Sequence, residues 1–151
     1  MTPPVATAPP AWASWLGAGG LIPFAVLALA LWWPGLGHQA FISQALASYG
    51  ATIASFLGAI HWGLAMRDRS GAGAGPYLWG VTPSLLAWLA LLLPPAGGLL
   101  GLAVLLALCL LVDARRYPHY QLQAWLPLRR RLTLVASLSC LAGAAGLLRS
   151  V

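Results

Sequence analysis

Two side chains in this sequence could do acid–base or ligand chemistry from within apolar stretches. The first is His61, in FLGAIHWGLAMRDR (56–69), beside Trp62 and six residues, about 9 Å along a helix, before Arg67. A neutral imidazole so placed requires a hydrogen-bond partner and can titrate near physiological pH. That suits a ligand contact, a proton carrier or an axial ligand to a tetrapyrrole metal. It suits equally a structural histidine bonded to a neighbouring helix, with Trp62 in the interfacial aromatic belt. A bis-histidine haem needs a second histidine at matching depth, and His38 and His119 both fall outside the apolar segments. The second group is Asp113, at the end of an apolar run in LLVDARR (110–116). A carboxylate at a helix C-terminus opposes the helix dipole, so a cation should compensate. Arg116, three residues on, is the expected partner in an inner-face ion pair; Arg67 and Arg69 are the alternatives. His61 and Asp113 are both expected near the inner leaflet and could share a cavity.

A third set is aromatic. Trp79 and Pro83 stand one turn apart, so their helix should kink beside an indole, and Trp88 falls at mid-membrane. With Tyr49, His61 and Trp62 these residues compose a candidate site for a flat apolar ligand. Catalytic sets are missing: there is no GxSxG, HExxH, CxxC, phosphate-binding glycine loop or carboxylate pair. The chain has only two acidic residues, neither at mid-membrane, which disfavours both paired-carboxylate hydrolysis and an ion-coupled transporter. Cys109 and Cys140 lie in apolar runs and read as small hydrophobes, so no metal site is expected. No cofactor is evident beyond the tetrapyrrole option at His61.

The elements that must position these groups follow from composition. Of 151 residues 60% are hydrophobic and 7% charged, against roughly 25% charged in a soluble domain. The class is an all-α integral membrane protein. Five apolar segments, about 13–33, 40–66, 77–94, 97–112 and 132–148, approach the length of a bilayer crossing, and Pro94-Pro95-Ala96-Gly97-Gly98 separates the third from the fourth. Seventeen residues reach only about 25 Å, so the last two should stand nearly upright. Residues 1–12 read as a proline-rich tail without the basic start of a signal peptide, and 13–151 as one five-helix membrane domain.

All eight basic residues are arginine, and Arg67, Arg69, Arg115, Arg116, Arg129, Arg130 and Arg131 fall in two loops on one side of a five-crossing layout. The positive-inside rule then puts the N-terminus inside and the C-terminus outside. It also accounts for the net charge of +6 without nucleic acid. Residues 114–131 carry Tyr117, Tyr120, Ala124 and Leu128 at helical spacing, which suits a short interfacial helix between Pro118 and Pro127. In the second segment Ser43, Ala47, Ala51, Ser55, Ala59 and Gly63 recur every fourth residue, with Gly50, Ala54 and Gly58 beside them. Small residues let helix backbones approach in lipid, so this helix should be central.

YGATIASFLGAIHWGLA (49–65), YLWGVTPSLLAWLALLLP (77–94), LLVDARR (110–116) and LGAGGLIPF (16–24) resemble a family of small bacterial and mitochondrial membrane proteins classed as a domain of unknown function, of which transmembrane protein sixty-nine is the animal member. The resemblance implies a polytopic inner-membrane protein, imports no activity, and draws the eye to His61, Trp62, Trp79, Pro83 and Asp113. A weaker likeness, in helix count, size and tryptophan content, is to the tryptophan-rich sensory proteins, which bind porphyrins and cholesterol. The expectation is a non-enzymatic inner-membrane protein, in the bacterial cytoplasmic membrane or, if eukaryotic, the mitochondrial inner membrane. Its partners would be the bilayer and another integral membrane protein or a second copy, in an accessory or assembly role. The alternative is a small apolar-ligand or tetrapyrrole binder.

Overall fold

Hydropathy and punctuation carry through to the elements of the computed structural model, which describes residues 8–33, 35, 37–68, 71 and 73–149. Among these every regular element is helical: α1 (Ala11–Gly19), α2 (Ile22–Ala30), α3 (Gln39–Arg67), α4 (Ala74–Leu91), α5 (Pro95–Arg116), a 3₁₀ turn (Gln123–Trp125) and α6 (Leu126–Arg149). The first expected segment is two helices in tandem. Gly19 and Gly20 favour a break, and Pro23 sits in the first turn of α2, where its missing N–H is no loss. Pro34 and Arg69, and most of the proline-rich tail, lie outside the described residues.

The last two helices are longer than expected. α5 runs from Pro95 through Arg115 and Arg116, and α6 starts at Leu126 with Pro127 in its first turn. Arg129, Arg130 and Arg131 are therefore helical, and the stretch 114–131 is not one interfacial helix. Only 117–125 connects α5 to α6, by a turn with Gln121 at φ 56° and the 3₁₀ segment. The long arginine stems explain the difference, since they let a helix continue past the apolar boundary while the guanidinium stays polar. The shortage of length anticipated for these two helices disappears.

Among the described residues four spans are long and apolar enough to cross a membrane: Ala11–Ala30, Gln39–Arg67, Pro95–Arg116 and Gln123–Arg149. α4 falls short because Pro76, Tyr77, Trp79, Thr82 and Pro83 dilute its 18 residues. It lies along α3, as α6 lies along α5, while α2 fits between α3 and α6. α3 is central, with α2, α4, α5 and α6 as neighbours, whereas α1 touches only α6 appreciably. Phe24, Leu31, Leu46, Leu99, Leu102 and Leu106 form the innermost core. Leu16, Val26, Phe41, Phe56 and Leu85 point outward at more than half exposure, as lipid-facing residues do.

The row of small residues on α3 does not stay on one face. Ser43, Ala47 and Ala51 are buried, Ser55 is half-buried, and Ala59 and Gly63 are exposed. A step of four residues turns the helix through about 400°, so the row drifts about 40° each time. The buried stripe crosses to Gly50, Ala54 and Gly58 and ends on His61 and Ala65. α4 packs tightly on Gly58: a Cβ there would lie 2.5 Å from the Gly80 carbonyl oxygen and 3.1 Å from Pro83. Pro83 is thus used in a helix contact. Trp62 lies across Gly80 and donates its indole N–H to the Tyr77 carbonyl at 2.7 Å.

Candidate functional site

His61 lies in the last turns of the buried stripe of α3, Asp113 ends that of α5, and Arg129 opens that of α6. The three meet at one end of the bundle. Nε2 of His61 lies 2.9 Å from Oδ1 of Asp113. Arg129 donates to Oδ2 of the same carboxylate through Nε at 2.8 Å and Nη2 at 2.5 Å. Exposure is 1% for His61, 1% for Asp113 and 9% for Arg129. Removing one member of such a buried pair leaves an uncompensated charge, which is why the geometry is worth a full set of partners.

The expected partner of Asp113 was Arg116, and the structure corrects it to Arg129. Because α6 begins early, Arg129 shares a helix face with Thr133, Ala136 and Cys140 and reaches into the bundle. Arg116 lies instead against Gly75 at the start of α4. Sequence reasoning passed over Arg129 because it stands in a run of three arginines that topology alone explains. The spacing 129, 133, 136, 140, 143 was the available signal, since all five are buried and step by three or four. His61 and Asp113, which the sequence left only as able to share a cavity, are in direct contact.

Arg129 donates to Oδ2 of Asp113, and Nε2 of His61 donates to Oδ1 in the tautomer that carries its hydrogen there. Tyr117, at the end of α5 and 4% exposed, closes the site, its ring centroid 6.5 Å from that of His61. Burial first, and the Asp113 carboxylate second, push its hydroxyl above the ordinary value near 10. This tyrosine was expected at the membrane surface. A second contact at the same end joins His119 to Asp68 at 3.6 Å, so Asp68, just after α3, and the 117–125 connection share one end of the bundle. The opposite end is closed by Trp32, which donates to the Ala142 carbonyl at 3.1 Å and carries Arg149 over its ring.

The other candidate ligand residues are dispersed. Tyr49 donates to the Gly20 carbonyl at 2.8 Å and packs edge-on against Phe24. Trp79 is half-buried against the core, and Trp88 is 56% exposed on the outside of α4. Trp62 serves α4 as described. His61 and Asp113 bring only one imidazole and one carboxylate together. Among the described residues no group of three His, Cys, Asp or Glu side chains could hold a metal ion; in this site the third position belongs to a guanidinium. What the arrangement does chemically is hold three helices by one carboxylate in a water-poor setting.

A family model described as "Protein of unknown function (DUF3429)" matches residues 9–145. Transmembrane protein 69 of Xenopus tropicalis is 42% identical over 84 residues, covering 53% of this chain and 32% of that protein. The match thus spans about a third of the relative's length. No solved structure matches the chain.

Proposed function

The chain belongs to the DUF3429 family of proteins of unknown function, and with that as premise we propose that it is a five-crossing inner-membrane protein acting as a non-enzymatic accessory or assembly subunit beside another integral membrane protein. α4 is the fifth crossing in this reading. Its 18 residues give about 27 Å, close to the roughly 30 Å hydrocarbon core, and Leu92 and Leu93 add to them. The arginine-rich end then faces the cytoplasm, or the matrix in a mitochondrion, with the N-terminus on that side and the C-terminus opposite.

The observation that carries the accessory role is the outer face of α3. Gln44, Ser48 and Thr52 are exposed in one line. Gln44 donates to the Ser48 hydroxyl at 3.2 Å and Thr52 to the Ser48 carbonyl at 3.0 Å. The same helix then exposes Ala59 and Gly63. Polar and small side chains on a face otherwise turned to lipid suit contact with a further helix, which they can approach closely and hydrogen-bond. The test is native mass spectrometry after mild-detergent extraction. The wild-type chain should carry a membrane-protein partner, and Gln44→Leu/Ser48→Leu/Thr52→Leu should release it at unchanged monomer stability. Recovery of the wild type as free monomer alone would overturn the reading.

A further inference from the structure

Next to the ion-pair site lies a cavity of about 410 Å³ between α1, α2, α3 and α6, within the range of small-molecule sites. Leu16, Phe24, Ile53 and Leu57 supply apolar wall. Leu16 and Phe56, which also line it, are 75% and 62% exposed, so the cavity meets the lipid at the seam of α1 and α3. Its α6 wall runs from Leu128 to Ala136, about 12 Å along the helix. One end is therefore polar and near the membrane surface, and the other apolar and deeper.

The polar end is formed by Arg129, Thr133 and Tyr117, each more than nine-tenths buried. The Thr133 hydroxyl is buried with no hydrogen-bond partner. Helical threonines ordinarily bond the carbonyl one turn back, and a buried hydroxyl without any partner is uncommon. Arg129 commits Nε and Nη2 to Asp113 and also hydrogen-bonds the Tyr117 side chain, so at this end the Thr133 hydroxyl is the group left without a partner. The Thr133 hydroxyl is thus a donor awaiting an acceptor, while Asp113 cancels the arginine charge. A neutral acceptor fits such a place better than an anion. By contrast, the groove between α4 and α5, along Leu86, Leu93, Gly101 and Leu108, has only apolar side chains.

We propose that this cavity binds a neutral, lipid-soluble carbonyl compound, its carbonyl oxygen accepting from the Thr133 hydroxyl and its apolar body between α2 and α3. A prenyl quinone and an ester-bearing neutral lipid share that chemistry. α1 is the least anchored wall, meeting α6 where Gly17 faces Leu132, so the ligand passes between α1 and α3.

Trp125 lines the cavity and provides the readout. In dodecyl maltoside, which has no carbonyl, decyl-benzoquinone should quench the protein saturably at one site per chain, and Trp125→Phe should lose that component. Thr133→Val, which keeps the volume, should raise Kd about five- to thirtyfold. Ala136→Leu, which fills the deep end, should abolish binding. Decane and decanoate should not compete. Displacement by dioleoylglycerol would assign the natural source to ester lipids, and its failure to displace would assign it to quinones. Equal Kd for wild type and Thr133→Val, decane competing as well as the quinone, or no saturable quenching at all would overturn the proposal. Thr133→Val decides the matter even if Ala136→Leu fails to fold.

Discussion

At the residue scale, Asp113 holds two donors from two other helices, so its loss should be felt more than that of either partner. Asp113→Asn leaves the Arg129 charge buried and unpaired, and should lower stability by about 3–5 kcal/mol, read from the unfolding midpoint in mixed micelles. His61→Ala takes one donor from a carboxylate that keeps Arg129, and should cost about 1–3 kcal/mol. Arg129→Lys should behave more like a loss than a conservative change, because an ammonium cannot reproduce the guanidinium fork. Tyr117 adds a pH dependence. Its folded-state value is raised above about 10, so the folded chain holds that proton more tightly than the unfolded one. The associated stability is complete below pH 10 and falls as pH rises beyond it. An alkaline unfolding series should show this fall, and Tyr117→Phe should flatten it. His61 and Asp113 were legible as rare polar groups in apolar helices. Arg129 was not, since nothing local separates it from Arg130 and Arg131.

At the scale of elements, α3 and α4 are joined where both backbones lack side chains. Gly58→Ala places a methyl against the Gly80 carbonyl and Pro83, and should cost about 1–3 kcal/mol through overpacking. Gly80→Ala strikes the Trp62 ring and should also break the indole bond to Tyr77. Gly63→Ala meets nothing within 4 Å and should be neutral or stabilising by up to about 1 kcal/mol. Thermal unfolding of the three variants would separate these outcomes, although Gly58 and Gly63 both stand in small-residue rows. The span of α3 was readable to within a residue at each end, because its apolar run is long and sharply bounded. The ends of α5 and α6 were not, because charged residues that snorkel resemble loop residues. The drift of the four-residue row also needed neighbours to show which part of it is buried.

At the scale of the whole molecule, the Asp68–His119 and His61–Asp113–Arg129 contacts put the arginine-bearing ends of α3, α5 and α6 at one end of the bundle. Reporter fusions at 71 and 120 should therefore fall on one side of the membrane, and fusions at 35 and after 149 on the other. Residues 71 and 120 on opposite sides would remove α4 as a crossing. Native mass spectrometry of the α3 surface variant and quinone titration of the Thr133 variant address separate faces of the same bundle, one outward and one inward.

Membrane residence, an all-helical chain and the few polar groups able to do chemistry were determined by the amino-acid sequence, because transfer into lipid acts on each residue nearly independently and sums along the chain. The partner of Asp113, the burial of Tyr117, and the placing of Thr133 on a cavity wall depend instead on how each helix is rotated against its neighbours. That rotation is set by contacts between residues far apart in the chain, and only the tertiary structure decides it.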